Sequence, residues 1–161
     1  MRLDTAILAG YDWGGLASCV AAALWPGRVA GLVSLASYDV IDIDGQKHAC
    51  ARARSLEHAM WYQHLFQTER GRQCLASHRR ELCRMLWQQW SPYWRFDESA
   101  FERTAASFGN PDFVDVVIHA YRRSFGLAAG DPAYEELEER LARRPKITVP
   151  AVTLGRNERH A

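Results

Sequence analysis

The sequence lacks the features that would tie it to nucleic acid or to a membrane. Its 20 basic and 19 acidic residues give a net charge of +1, so no excess of one sign favours nucleic acid or an anionic surface. The longest apolar stretch, near residues 17–25, ends at Pro26 and is too short to span a bilayer. The N-terminus has no basic segment followed by an apolar stretch, as a signal peptide would. We therefore expect a cytoplasmic protein with no nucleic-acid or membrane partner.

The cysteines lack the spacing of a metal site or a redox motif. No two cysteines form a Cys-x-x-Cys pair, and no histidine lies at zinc-ligand spacing from such a pair. We therefore expect free thiols in a reducing compartment and no metal site. The four cysteines are Cys19, Cys50, Cys74 and Cys83.

One short stretch carries most of the information in the chain. An apolar strand at residues 6–9 is followed by Gly10-Tyr11-Asp12-Trp13-Gly14-Gly15, and a small-residue helix is predicted over 14–24. Gly10 and Gly14 flank Asp12 in the pattern Gly-x-Asp-x-Gly, which is typical of a sharp strand-to-helix turn that leaves no room for a Cβ. In the simplest alternative interpretation, Asp12 only caps the helix.

The rest of the chain predicts a parallel sheet and a long helical insertion. The apolar run at 29–35 is typical of a strand buried on both faces, and strand composition returns at 147–154, with the strand itself near 151–154. Between them, 52–126 is rich in aromatics and predominantly helical, with breaks near Gly71, Pro92, 109–111 and Gly126. The helical blocks are predicted at 56–69, 71–90, 113–125 and, in a further helix, 133–143.

The stretch Gly10-Tyr11-Asp12-Trp13-Gly14-Gly15 resembles the nucleophile elbow of α/β-hydrolase-fold enzymes that attack with Asp. These enzymes are epoxide hydrolases and haloalkane or haloacetate dehalogenases. The resemblance implies an α/β chain with part of that fold, in which parallel strands joined by a crossover helix carry a mostly helical cap. The core would be residues 1–44 and 146–161, and the cap would be 45–145. No metal or organic cofactor is implied.

The resemblance also assigns roles to particular residues. Asp12 would attack an epoxide carbon to form an ester, and the Trp13 backbone N–H would be one oxyanion-hole donor. Trp61-Tyr62-Gln63-His64-Leu65-Phe66-Gln67 looks like the first cap motif of the epoxide hydrolases, with Tyr62 as a hydroxyl donor and Gln63 beside it. His119-Ala120-Tyr121-Arg122-Arg123 looks like the second motif, with Tyr121 as the other donor. The substrate implied is a small apolar epoxide, which would be opened to a diol.

Some parts of the family pattern are not found in the sequence. The strands that precede the elbow are missing, together with the loop that supplies the other half of the oxyanion hole. After the third strand, Glu158 and His160 match neither the acid nor the base of the triad. We therefore expect a chain truncated at both ends that is inactive or forms the ester without turnover. An open, apolar sheet edge favours homo-oligomers.

Three alternatives remain open from the sequence. An alkyl halide would be the substrate if the protein were a dehalogenase of the same fold, because Trp13 can hold a halide in such enzymes. The chain can also be a non-catalytic remnant or a binding module. Finally, the sequence can be an incomplete record of a full-length enzyme.

Overall fold

The computed structural model describes residues 3–46 and 53–155, and the chain forms two compact units. The strand unit comprises Met1–Gln46 and Gly130–Ala161, and the helical unit comprises Lys47–Ala129. This division groups residues 130–145 with the strands, whereas the sequence-based domain assignment placed them in a cap. That assignment stays a prediction.

Three parallel strands form the sheet of the strand unit, in the order β1-β2-β3. They are β1 (Ala6–Tyr11), β2 (Val29–Leu35) and β3 (Ala151–Leu154). Helix α1 (Trp13–Leu24) connects the first two strands, so β1, α1 and β2 form the predicted βαβ unit. In the register of the sheet, Tyr11 pairs with Leu35 and Leu35 pairs with Leu154, which brings the carboxyl ends of all three strands level.

The core of the strand unit lies between α1 and β2. Cys19 and Ala22 of α1 are completely buried, and they cluster with Val29 and Leu32 of β2. Strand β1 is less covered, since its residues alternate between half-buried and exposed and Ile7 is 71% exposed. Two short helices also belong to this unit: α2 (Ile43–Gln46) and α8 (Glu135–Ala142).

Five helices are described in the helical unit. They are α3 (Arg54–Ala59), α4 (Trp61–Leu65), α5 (Glu69–Trp90), α6 (Glu98–Ala105) and α7 (Phe113–Ser124). Two apolar clusters hold them together. One is built around Tyr62, Phe66, Leu75, Leu82 and Ile118, and the other around Phe101, Ala105 and Phe108.

The helix break predicted near Gly71 lies earlier in the chain, because Gly71 is in the first turn of α5. A turn at Phe66–Thr68 separates α4 from α5 instead, and the Thr68 hydroxyl caps α5 by accepting a bond from the Gly71 N–H at 3.0 Å. A Cβ added at Gly71 would lie 2.0 Å from the Leu65 carbonyl oxygen. The glycine is therefore required for the close approach of two backbone segments.

In the described ranges, 3–46 and 53–155, we find no helix whose length and apolar character would let it cross a membrane.

Candidate active site

The turn between β1 and α1 holds Asp12 in an unusual backbone conformation. Its φ is 52° and its ψ is −124°, a region that non-glycine residues seldom adopt and that stores strain of about 1–3 kcal/mol. Backbone bonds on both sides maintain the turn. The Asp12 N–H donates to the Leu35 carbonyl at 3.3 Å, and the Asp12 carbonyl accepts from the Leu16 N–H at 3.0 Å.

The side chain of Asp12 has no part in holding the turn. Asp12 is the N-cap residue of α1, yet its carboxylate makes no capping hydrogen bond, and the residue is exposed. The interpretation of Asp12 as a helix cap is therefore wrong. A strained turn at the carboxyl end of a strand presents an exposed carboxylate beside the positive end of a helix, which stabilises negative charge there.

Close packing explains two glycines of the elbow but not the third. A Cβ on Gly10 would lie 2.3 Å from the Gly14 carbonyl oxygen and 2.5 Å from the Gly15 nitrogen. A Cβ on Gly15 would lie 2.0 Å from the Ser37 hydroxyl oxygen. At Gly14, by contrast, an added Cβ would meet nothing within 4 Å, so our prediction that this position leaves no room is wrong.

The loop after β2 lies against the back of the elbow. Ala36 has a φ of 56°, and its N–H donates to the Leu154 carbonyl at 2.8 Å. The chain then reverses so that the Ser37 hydroxyl donates to the Leu35 carbonyl at 2.9 Å and faces Gly15. Sequence reasoning missed this support for the turn, since neither Ala36 nor Ser37 carries a motif.

Trp13 follows the nucleophile candidate as the first residue of α1. Its backbone N–H therefore belongs to the first turn, at the positive end of the helix. Its side chain is 44% exposed. The predicted oxyanion-hole donor therefore lies at a helix N-terminus, where negative charge is favoured.

The helical unit brings the two predicted tyrosines together. Tyr62 in α4 and Tyr121 in α7 are 59 positions apart in the sequence, yet their ring centroids are 5.7 Å apart and the rings are perpendicular. Tyr62 is only 8% exposed, and edge contacts with Trp61, Phe66 and Trp90 surround it. Two hydroxyl donors predicted to serve one substrate thus lie on adjacent helices.

Two further polar side chains connect the same helices. The Gln67 side-chain amide donates to the Gln63 carbonyl at 2.8 Å and to the Tyr121 carbonyl at 3.2 Å. In the opposite direction, Arg122 of α7 donates to the Phe66 and Thr68 carbonyls, each at 3.2 Å. Gln67 was the last residue of the predicted first cap motif but had no assigned role.

The predicted site residues are distributed over both units. Asp12 and Trp13 belong to the strand unit, and Tyr62, Gln63 and Tyr121 belong to the helical unit. Glu158 and His160 lie outside the described residues, as does Cys50. Of the remaining cysteines, Cys19, Cys74 and Cys83 are free, and burial raises the pKa of the Cys83 thiol. Within 3–46 and 53–155, no group of three His, Cys, Asp or Glu side chains could hold a metal ion.

The first strand of the parallel sheet leads into a strained turn at Asp12, and a helix follows the turn. Together with the mostly helical unit, this arrangement defines a partial α/β-hydrolase fold. The comparisons with known proteins agree with that class. A structure described as a putative epoxide hydrolase from Klebsiella pneumoniae subsp. pneumoniae is 37% identical, with a TM-score of 0.88, over 95% of this chain and 50% of that chain.

A second structure, described as a putative epoxide hydrolase from Pseudomonas aeruginosa, has a TM-score of 0.73 at 15% identity, over 99% of this chain and 51% of that chain. No protein-family model and no curated protein sequence matches the chain. The chain thus has a partial α/β-hydrolase fold similar to that of these structures, and it spans about half the length of the solved structures it matches.

Proposed function

We propose that the chain carries the nucleophile and the ring-opening acids of an epoxide hydrolase. The observation that carries this proposal is the conformation of Asp12, which is held at a φ of 52° while its carboxylate is exposed and caps nothing. A strained residue that does not serve the fold is expected to serve chemistry. The core would be residues 1–44 and 146–161, with the cap at 45–145.

In the proposed reaction, a carboxylate oxygen of Asp12 attacks an epoxide carbon and forms a new C–O ester bond. The bond between that carbon and the epoxide oxygen breaks, and its electron pair moves to the oxygen. Tyr62 and Tyr121 donate hydrogen bonds to that oxygen, and one of them supplies the proton that converts it to a hydroxyl. The ring contact at 5.7 Å, which makes the two tyrosines neighbours on adjacent helices, supports this pairing.

The ester would then need a water molecule activated by a base. The described residues of the strand unit, 3–46 and 130–155, contain no histidine, and that unit carries Asp12. The Trp13 N–H would stabilise the oxyanion that forms during hydrolysis, and Gln63 would line the substrate site. We expect this chain to form the ester and to release diol slowly or not at all. The substrate would be small and apolar.

The test is intact-mass spectrometry of the purified chain after incubation with styrene oxide, followed by peptide mapping. We expect a gain of one epoxide mass on Asp12, its absence in Asp12→Asn, and its persistence in Asp39→Asn, which alters an exposed carboxylate of the same unit. An adduct with an alkyl halide but none with the epoxide would favour a dehalogenase. Folded chain that reacts with neither probe, or that releases many diols per molecule, would contradict the proposal.

A second comparison tests the tyrosines. The double variant Tyr62→Phe/Tyr121→Phe should slow adduct formation with styrene oxide by about 10²-fold or more, because proton donation in the transition state is lost. With an alkyl halide, whose leaving group needs no proton, the rate should change little. Equal slowing with both probes would assign the tyrosines to packing.

A further inference from the structure

We propose that Gln67 is a positioning residue that fixes Tyr121 relative to Tyr62, and that it thereby controls how the two hydroxyls meet the epoxide oxygen. This inference rests on the proposed function for its catalytic meaning. All the residues involved belong to the helical unit.

The side-chain amide of Gln67 contacts both helices that carry the tyrosines. Its Nε2 donates to the Gln63 carbonyl, one residue after Tyr62, and to the carbonyl of Tyr121 itself. Two carbonyl oxygens can face the same atom only if that atom carries protons, so the orientation of the amide is fixed. A single NH₂ group therefore joins the backbone of α4 next to one tyrosine to the backbone of α7 at the other.

The oxygen of the same side-chain amide has different surroundings from its nitrogen. Gln67 Oε1 is buried and has no hydrogen-bond partner, the one such side-chain atom among the described residues. An unpaired buried acceptor is unfavourable, so a residue that served only stability would be better replaced by an apolar one. The Tyr121 carbonyl does not depend on Gln67 either, because it also accepts from the Ser124 hydroxyl at 2.9 Å and the Phe125 N–H at 3.3 Å.

Arg122 of α7 also bonds to the turn that carries Gln67. Arg122, which follows Tyr121, donates to the Phe66 and Thr68 carbonyls, which flank Gln67 in the chain. The turn that follows α4 is thus bonded to α7 in both directions, by Gln67 to the Tyr121 carbonyl and by Arg122 to the turn. Arg122 fixes the turn at Phe66–Thr68 to α7. Gln67 binds the backbone carbonyl of Tyr121 directly and thereby sets the distance between the two tyrosine rings.

The test replaces Gln67 by Met, which has a similar length but can neither donate nor leave an unpaired oxygen. Gln88→Met, on an exposed face of α5, is the matched control. The ring protons of Tyr62 and Tyr121 are close enough for a nuclear Overhauser effect, which can be recorded with ¹³C-labelled tyrosine and assigned with the Tyr→Phe variants. We expect this signal in the wild type and in Gln88→Met and a loss of most of it in Gln67→Met, with thermal stability nearly unchanged.

An unchanged ring signal in folded Gln67→Met would overturn the proposal. If that variant does not fold, Gln67→Asn, whose shorter amide cannot span both carbonyls, takes its place with the same two outcomes. A failure of both variants to fold would assign Gln67 to stability and would also overturn a positioning role.

The rate of adduct formation with styrene oxide provides the link to catalysis. Gln67→Met should lower it by about 10- to 10²-fold, because displacing a catalytic group by about 1 Å has effects of this size. In the Tyr62→Phe/Tyr121→Phe background the same change should have no further effect, whereas an equal loss there would overturn the proposal. If the wild type forms no adduct, the proposed function fails, and the ring signal still decides the role of Gln67.

Discussion

The elbow and the tyrosine pair are held in place by different parts of the chain. Backbone contacts maintain the elbow. The Asp12 N–H and carbonyl are hydrogen-bonded, and Gly10 lies against the backbone of Gly14 and Gly15. In the helical unit, side chains hold the tyrosine pair, because Tyr62 is enclosed by aromatic rings and Gln67, in the turn after α4, bonds to the backbone of both α4 and α7.

At the elbow, the residue proposed for chemistry does not contribute to packing, whereas in the helical unit one residue has both functions. The Asp12 side chain is exposed and caps nothing, so its carboxylate can be changed without loss of packing. The ring of Tyr62 is part of the core cluster and is 8% exposed, so the residue proposed to donate a proton also holds its unit together. Substitutions in the two regions should therefore affect activity and stability in different proportions.

The largest effect is expected for Tyr62→Ala. Removing a buried aromatic ring leaves a cavity, so the free energy of unfolding of the helical unit should fall by about 3–5 kcal/mol. Tyr62→Phe keeps the ring and should change it by less than about 1.5 kcal/mol. Urea unfolding followed by circular dichroism measures both. Equal losses in the two variants would show that the hydroxyl, and not the ring, holds the unit.

Gly10→Ala is expected to have the next largest effect. The added methyl would lie 2.3 Å from a backbone oxygen, and relieving the overlap should cost about 3 kcal/mol. Gly14→Ala is the control, since it meets nothing within 4 Å and replaces a helical glycine, which should stabilise the protein by up to about 1 kcal/mol. Thermal unfolding measures both, and equal melting temperatures would contradict the inference that Gly10 is tightly packed and Gly14 is not.

The sequence predicts the elbow better than the helical unit, because the elbow is formed by residues that are neighbours in the chain. The end of the strand, the turn and the start of the helix lie within residues 6–15, so a short pattern was enough to predict them, although Gly15, and not Gly14, is the second tight position. The contact between Tyr62 and Tyr121 joins residues far apart in the chain. Resemblance to a family could point to both tyrosines, but no local pattern could show that Gln67 connects them.

Asp12→Gly should raise stability while removing the proposed nucleophile. Glycine adopts a φ of 52° without the strain that a side chain brings, and we expect a gain of about 1 kcal/mol in the free energy of unfolding. Adduct formation with styrene oxide should be lost at the same time. A destabilised variant would mean that the carboxylate supports the fold after all, which would remove the main evidence for its chemical role.

A smaller effect is expected at the turn before α5. The Thr68 hydroxyl accepts from the Gly71 N–H at 3.0 Å, and losing such a cap usually costs about 1 kcal/mol. Thr68→Ala should therefore lower the unfolding free energy by about that amount. Thr104→Ala in α6 is the matched control, because that threonine is not a cap and alanine favours helix. If Thr104→Ala were the more harmful of the two, the cap would not be what orders this turn.

The smallest effect concerns Asp97, which performs the capping role that Asp12 does not. The Asp97 carboxylate accepts from the Ala100 N–H at 2.6 Å and the Ser99 hydroxyl at 2.8 Å, and the backbone bond to Ala100 is the main reason that its pKa lies below the usual value. A lowered pKa in the folded state stabilises the protein above the pKa of the unfolded chain, and this contribution disappears as the pH falls through the folded pKa. Asp97→Asn keeps an acceptor for the helix but cannot titrate. In urea unfolding it should therefore be slightly less stable than the wild type at pH 7, and the difference should shrink as the pH falls through the lowered pKa of Asp97. A difference that stayed constant with pH would contradict a charge-dependent cap.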